Sequence, residues 1–144
     1  MRIAIRWLSL AAAALAAASC ATQGARDVTL YEELGGQPGV ESIVAEMLLN
    51  VADDERIASD FAESNVPRLR RLLIEQFCQV SDGPCKYTGY SMKESHRGMV
   101  VTETEFNAVV EALVDAMDSL HVATTTQNRL LARLAPLQSD IVYQ

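Results

Sequence analysis

The sequence has few of the residues and none of the motifs on which most catalytic sites are built. Its 144 residues include two histidines, three cysteines and one tryptophan. There is no G-x-S-x-G nucleophile motif, no Walker phosphate loop, no H-E-x-x-H metal motif and no dinucleotide fingerprint. The large hydrolase, nucleotide-binding and zinc-protease classes are therefore set aside, and the rare histidines and cysteines become the side chains of interest.

Positive charge is also scarce. The chain has 12 basic and 19 acidic residues, for a net charge of −7. Residues 1–19 contain Arg2 and Arg6 and no acidic residue, so without them the charge falls to −9. A nucleic-acid partner needs a basic face that neutralises phosphates, so nucleic acid is excluded as a partner, and so is recruitment by anionic lipid.

Only one long apolar run exists, and it lies at the N-terminus. It extends from Trp7 to Ala18, is broken only by Ser9, and follows two arginines. This run is too short for a membrane span and is typical of a signal peptide. It ends in Ala-Ala-Ser-Cys, which resembles the lipobox of bacterial lipoproteins; an ordinary secretory signal is the alternative. The prediction is a signal peptide over 1–19, a lipidated tether over 20–28 and a folded domain over 29–144.

An exported protein of this kind would be held at the periplasmic face of a membrane by a lipid on Cys20. Ala21 follows that cysteine where an aspartate often accompanies retention in the inner membrane, which favours the outer membrane. The other two cysteines, Cys78 and Cys85, form an even pair, and an oxidising compartment favours a disulfide between them. A metal site made of this pair with His96 and His121 is the alternative, but its spacing matches no zinc pattern.

Apolar residues recur at helical spacing throughout the remaining sequence, and no stretch alternates as a strand would. Proline, glycine and capping residues divide the chain into helices. The sequence therefore predicts a single all-α domain. Its predicted elements are a turn over 29–34, a helix from Pro38, a short helix after Asp54, a helix capped by Ser64 or Asn65, a turn that carries His96 and ends at Gly98, a helix capped by Thr102 with Glu105, and a helix capped by Thr124 or Thr125 that is loosened at Pro136.

Five blocks of the chain, in order, resemble the group I (N-type) truncated haemoglobins of bacteria and protozoa. They are LYEELGGQPGVESIV, ADDERIASDF, NVPRLRRLLIEQF, KYTGYSMKESHRGMVVTETEF and LARLAPL, and together they extend over residues 30–142. The resemblance implies a two-over-two helical sandwich that holds haem b. It implies that His96 is the proximal ligand of the iron, and imidazole is a usual ligand of haem iron.

The resemblance also implies the other residues around the haem. Phe61 would pack on its face, and Lys93 and Arg97 are candidates for pairing with its propionates. The remaining matched positions are Tyr87, Thr88, Gly89 and Met92, which lead to His96, and Phe106 and Val109, which contribute to the pocket.

On the distal side the sequence departs from the family. The first long helix usually supplies a tyrosine that donates a hydrogen bond to oxygen, and here Leu48 stands at that position beside Met47. The distal helix, which often supplies glutamines, has Leu69 and Leu73. The expected pocket therefore has no hydrogen-bond donor. Dioxygen becomes partly negative on binding and would lose about 1.5–3 kcal/mol of stabilisation, whereas nitric oxide and carbon monoxide would lose less.

The function expected from this resemblance is binding of a diatomic gas (O2, NO or CO), with nitric oxide detoxification as a further activity. That activity would need a separate reductase, because no flavin or nicotinamide motif is present. Two alternatives stay open: a haem-free helical lipoprotein that binds other proteins, and a haem carrier or sensor. His121 follows the helix that begins near Thr102, where a cation is favourable, and is expected to be a surface residue.

Overall fold

Residues 27–144 are described by a computed structural model, and within this range the secondary structure is helical, apart from one isolated bridge between Val101 and Val142. The predicted signal peptide (1–19) and most of the predicted tether (20–28) lie outside the described residues. None of the described helices is long and apolar enough to cross a membrane. The prediction of an all-α domain is confirmed. The elements are α1 (Leu30–Glu33), α2 (Gly36–Asp53), α3 (Ala58–Phe61), α4 (Val66–Val80), α5 (Met92–Ser95), α6 (Glu103–Ser119), α7 (Thr124–Leu134) and a 3₁₀ helix (Ala135–Asp140).

Side-chain caps start several of these helices. The predicted capping box at Thr102 is present: its hydroxyl accepts from the Glu105 main chain while the Glu105 carboxylate accepts from Thr102. Asn65 caps α4, as predicted, by accepting from the Arg68 main-chain N–H. The predicted cap of the last helix is wrong, because Ala123 is its N-cap and Thr124 is already helical.

The C-terminal end of the helical stretch changes geometry near Pro136. The α-helix α7 ends at Leu134, and the chain continues as the 3₁₀ helix that contains Pro136. A proline inside an α-helix lacks the N–H that the helix needs and collides with the preceding turn. The predicted loosening at this residue is therefore present, as a switch from α to 3₁₀ geometry.

The core is centred on α2, which packs against α4 and α6. Val40, Ile43 and Val44 of α2 are at most 1% exposed. Burying a side chain of this size contributes roughly 1.5–3 kcal/mol. A second, smaller cluster anchors α3, because Ile57 lies buried with Val51 and packs near Phe61. These clusters hold α2, α3, α4 and α6 in fixed positions around the site described next. The rest of the main core is contributed by Leu30, Leu34, Met47, Ile74, Phe77, Leu113, Ala116, Met117 and Leu130.

Candidate functional site

A cavity of about 230 Å³ lies between the side chains of α2, α3 and α4 and those of α5, α6 and the 3₁₀ helix. All but five of the side chains that line it are apolar. Such a cavity suits a flat, largely apolar ligand that is oriented by a few polar groups. The five polar or charged residues are Asp60, Ser64, Gln76, His96 and Glu105.

His96 lies directly after α5, as its C-cap residue, and is half-buried in the cavity wall. Its Nδ1 atom is 2.8 Å from the Met92 carbonyl oxygen. A carbonyl only accepts hydrogen bonds, so Nδ1 carries the proton and Nε2 keeps its lone pair. The free Nε2 is therefore the atom of His96 that is able to bind a metal ion.

The turn that carries His96 is fixed at both ends. Ser91 and Glu94 form a capping box that starts α5, and the His96 main-chain N–H donates to Met92. The loop before α5 is tied to α4, since Glu75 accepts from the Thr88 main chain and hydroxyl at 2.9 and 2.7 Å. On its N-terminal side, His96 is therefore supported by local capping and by the contact of the preceding loop with α4.

The disulfide favoured by the sequence is present between Cys78 and Cys85, whose Cα atoms are 5.7 Å apart. It joins α4 to the start of the loop that leads to His96. The alternative metal site fails, because each of these sulfurs is bonded to the other. The described residues contain no group of three His, Cys, Asp or Glu side chains placed to hold a metal ion.

Most of the predicted site residues meet at this cavity. Leu48 and Leu73 lie on its walls with Phe61, and Met92 lies beside His96. Eight of the eleven predicted positions are in the lining, and they come from five separate helices, α2 to α6. These eight are Met47, Leu48, Phe61, Leu73, Met92, His96, Phe106 and Val109.

The structure places the other three predicted positions, Leu69, Tyr87 and Lys93, outside the cavity lining. Leu69 is in the first turns of α4, whose cavity face is formed by later residues. The Tyr87 hydroxyl lies against Gly89, where a Cβ atom would come within 2.2 Å of it. Lys93 follows Met92 by one residue, which turns its side chain by about 100° around the helix axis and into solvent.

The expectation of a cavity without a hydrogen-bond donor is wrong, because Gln76 is part of the lining. It follows Leu73 by three residues, so both lie on one face of α4. The Gln76 side chain makes no hydrogen bond within the described residues. Gln76 could have been predicted from its spacing of three residues from Leu73. The family resemblance instead placed the usual distal glutamines at Leu69 and Leu73.

The sequence interpretation also missed the contribution of the C-terminal part of the chain. Leu134, Leu137 and Ile141 close one side of the cavity, and Met99 and Val101 line it beyond His96. The late A-P-L motif indicated only a family resemblance. Its place in the cavity wall follows from the 3₁₀ helix, which brings Leu137 and Ile141 to the same face.

Charge around the cavity is mostly negative. Hydrogen bonds from the Thr102 main chain and hydroxyl hold the pKa of the Glu105 carboxyl below its ordinary value. Burial raises the pKa of the Tyr87 phenol, although a hydrogen bond with Ser95 opposes that shift. No lysine or arginine is part of the cavity lining among the described residues, and Lys93 and Arg97 lie exposed near His96.

Comparison with known proteins agrees with this geometry. A family model described as bacterial-like globin matches residues 29–143, and the chain belongs to that family. The group 1 truncated hemoglobin GlbN of Mycolicibacterium paratuberculosis is 32% identical over 117 residues, which are 81% of this chain and 86% of that protein. Its counterpart from Nostoc sp. is 30% identical over 79% of this chain and 97% of its own length.

Solved structures show the same fold. The truncated hemoglobin of Tetrahymena pyriformis, in its Fe(III) form, superposes with a TM-score of 0.78 at 25% identity, covering 81% of this chain and 99% of that one. The described domain is thus an all-α truncated globin. Membership in this family implies haem b, with its iron, as the cofactor.

Proposed function

We propose that this chain binds haem b in the cavity between α4 and α6, and a diatomic gas on the side of the iron that faces α4. The observation that carries the proposal is the pairing of a free His96 Nε2 with a mostly apolar cavity of about 230 Å³. The residues present fit the cofactor: a flat apolar ring is matched by apolar walls, and its iron by one imidazole nitrogen. Bound haem would supply an iron with one position open to O2, NO or CO.

The residues of the chain would divide their work between holding the cofactor and selecting the ligand. The Met92 carbonyl oxygen orients His96 by accepting a hydrogen bond from its Nδ1–H, and this bond raises the basicity of the ligating nitrogen. Leu48, Leu73 and Phe61 exclude water from the opposite face. Lys93 and Arg97 stay candidates for the propionates, at the rim of the cavity and not within it.

Ligand selectivity follows from the weak polarity of this wall. Gln76, which is partly exposed, supplies an amide there. The family's tyrosine hydroxyl is replaced by Leu48, which donates nothing. We infer that oxygen is held less tightly than in relatives with the tyrosine, with nitric oxide and carbon monoxide less affected.

Nitric oxide detoxification is the finer activity we propose. The reaction joins one nitric oxide, one dioxygen and one electron to give nitrate, so a separate reductase must supply the electron. Nitric oxide consumption by the reduced protein, measured electrochemically with and without an added electron donor, tests it. Sustained turnover with the donor supports the activity, and consumption no faster than that of His96→Ala overturns it.

Haem binding itself is tested by titrating the purified chain with haemin and following the absorption spectrum. The chain should give a sharp Soret band that moves on reduction and with carbon monoxide. His96→Ala should lose that behaviour, and His121→Asn should keep it. The control is matched because His121 is exposed and has a φ of 57°, which asparagine tolerates. Free-haemin spectra in all three proteins would favour the haem-free interaction module.

A haem carrier or sensor is the second alternative, and the rate of haem loss separates it from a stable globin. Transfer of haem to an excess of apomyoglobin within seconds would indicate a carrier. Retention for hours would indicate a resident cofactor.

For location, we propose that the chain is exported and anchored through a lipid on Cys20 at the outer membrane. The lipobox-like Ala-Ala-Ser-Cys supports this proposal. Mass spectrometry of protein purified from membranes should find an N-terminus at residue 20 that carries acyl chains. An N-terminus at any other residue would contradict it.

A further inference from the structure

The C-terminal residues of the chain are bonded to the segment that follows His96. The Tyr143 main-chain N–H donates to the Val101 carbonyl oxygen at 2.9 Å, and the Gly98 N–H donates to the Gln144 main-chain oxygen at 3.1 Å. Val101 and Val142 form an isolated parallel bridge between the same two segments. The two ends of segment 98–101 are therefore both attached to the C-terminal tail.

This segment is connected to His96 by a tight turn. The Met99 N–H donates to the His96 carbonyl oxygen at 3.0 Å. On the other side of the histidine, α5 is only four residues long, so the helix alone is a weak support. The position of the imidazole thus depends on what holds residues 98–101.

The backbone of both segments is in a conformation that needs such support. Val100 has a φ of 48° and Tyr143 a φ of 55°. A β-branched residue in the left-handed region is a clear outlier, and such residues persist only where neighbouring contacts fix them. Val100 is itself 62% exposed, so its side chain is not what holds it. Val100 is held instead by the main-chain hydrogen bonds that join Gly98 and Val101, on either side of it, to the tail.

The tail is itself held in place by contacts with the 3₁₀ helix and the cavity wall. The Gln144 amide donates to the carbonyl oxygens of Ser139 and Val142, and Ile141 lies in the cavity wall. The Gln144 side-chain amide therefore links the 3₁₀ helix to the tail, and main-chain bonds link the tail to segment 98–101 and that segment to His96.

We propose that Tyr143 and Gln144 are positioning residues for His96: through their main-chain hydrogen bonds to Gly98 and Val101, they set the orientation of the imidazole toward the iron. This inference rests on the proposed haem binding. Neither side chain lines the cavity. The two residues would therefore act on the proximal site through their main-chain atoms alone.

The test removes Tyr143 and Gln144, which deletes both bonds while Ile141 and Val142 stay. The control is Tyr143→Asn, which removes the exposed ring, keeps both main-chain bonds and tolerates the positive φ. The iron–histidine stretching band of the ferrous, ligand-free protein, measured by resonance Raman, reports the imidazole orientation. A tail that only stabilises the fold would leave this band of the folded protein unchanged.

The shortened protein should show a shifted or broadened band, and Tyr143→Asn should match the parent. In the haem-free chain, amides of residues 96–101 should exchange with solvent at least about tenfold faster after the deletion. A shortened protein with the parental band and parental exchange overturns the proposal. Failure of the parent itself to take up haem would instead overturn the proposed haem binding.

If the shortened chain does not fold, amide exchange in the intact protein decides. The Gly98 and Tyr143 N–H groups are predicted to be protected, and to become exchangeable together with residues 96–101. Exchange of these two amides at the rate of an unstructured peptide in the folded protein overturns the proposal.

Discussion

The Nδ1–H of His96 donates a hydrogen bond to the carbonyl oxygen of Met92, four residues earlier, at 2.8 Å. The acceptor is a main-chain group of the same helical turn, so the bond is present before any ligand arrives. It leaves Nε2 as the ring nitrogen without a hydrogen-bond partner among the described residues. The identity of the ligating atom is therefore decided by the α5 turn itself.

Replacing His96 by glycine should remove the ligand and leave space for a substitute. The variant is expected to lose the five-coordinate ferrous spectrum, and millimolar imidazole should restore it, because free imidazole fills the vacated position. Absorption spectra of the ferrous protein, titrated with imidazole, check this. The same titration on His121→Gly is the control and should change nothing. A variant that keeps its spectrum without imidazole would show that another residue ligates the iron.

Leu48 lines the cavity and has no hydrogen-bond donor, and adding a donor at this position should slow oxygen release. Leu48→Tyr adds a hydroxyl to the cavity wall, and Leu48→Phe adds the same ring without it. A hydrogen bond to a charged group contributes about 1.5–3 kcal/mol, which corresponds to roughly 10- to 100-fold in rate. Oxygen dissociation measured by stopped flow should be slower in the tyrosine variant by that factor than in the phenylalanine variant. Equal rates in the two would show that the hydroxyl does not reach the ligand.

Gln76 is predicted to donate a hydrogen bond to bound oxygen. Gln76→Leu should speed oxygen release up to about tenfold, the value of a hydrogen bond of 1.4 kcal/mol, and leave carbon monoxide release nearly unchanged. Carbon monoxide serves as the internal control because it carries little charge when bound. Equal acceleration of both gases would instead indicate a change of access at the edge of the cavity.

The sequence predicted what depends on neighbours along the chain. The Thr102 capping box, the Asn65 cap and the change of geometry at Pro136 each follow from a few adjacent residues, and each is present. The cap of α7 was misassigned because three threonines follow Ala123, and any of them satisfies the usual preference. Local preference cannot choose between equivalent residues when packing sets where the helix begins.

The parts of the site that were missed depend on contacts between distant segments. Leu137 and Ile141 reach the cavity only because the 3₁₀ helix folds back beside α5. Leu69 was expected there from the family resemblance, whereas Gln76 lines the wall. The exclusion of Leu69 and the inclusion of Gln76 depend on where along α4 the cavity lies. That position is set by helix packing and cannot be predicted from the periodicity of the sequence.

The Cys78–Cys85 disulfide should contribute to stability mainly by restricting the unfolded chain. Its loop is short, at a sequence separation of 7, so the expected loss on removing it is about 2.5 kcal/mol in the free energy of unfolding. Cys85→Ser is the variant to use, since Cys78 is fully buried and a thiol there behaves as a small apolar group. Denaturant unfolding should show the loss under oxidising conditions. In excess reductant the parent and variant should coincide, and a difference that survives the reductant would point to a packing effect.

The last prediction concerns acid and the Glu75–Thr88 contact that joins α4 to the loop before α5. Hydrogen bonds from Thr88, with a further contribution from Arg71, hold the pKa of the Glu75 carboxyl below its ordinary value of 4.5. A group whose pKa is lower in the folded state releases its proton more readily there than in the unfolded state. Its stabilising contribution is therefore complete above pH 4.5 and is lost as the pH falls through the lowered pKa.

Glu75→Gln should thus lower the denaturant midpoint at neutral pH, and the gap from the parent should close as the pH falls below 4.5. Glu55→Gln is the matched control, because Glu55 is exposed and makes no side-chain hydrogen bond within the described residues. Denaturation curves recorded between pH 3 and 7 check the window. A gap that stays constant across this range would mean that ionisation of Glu75 is not the source of its stabilising contribution.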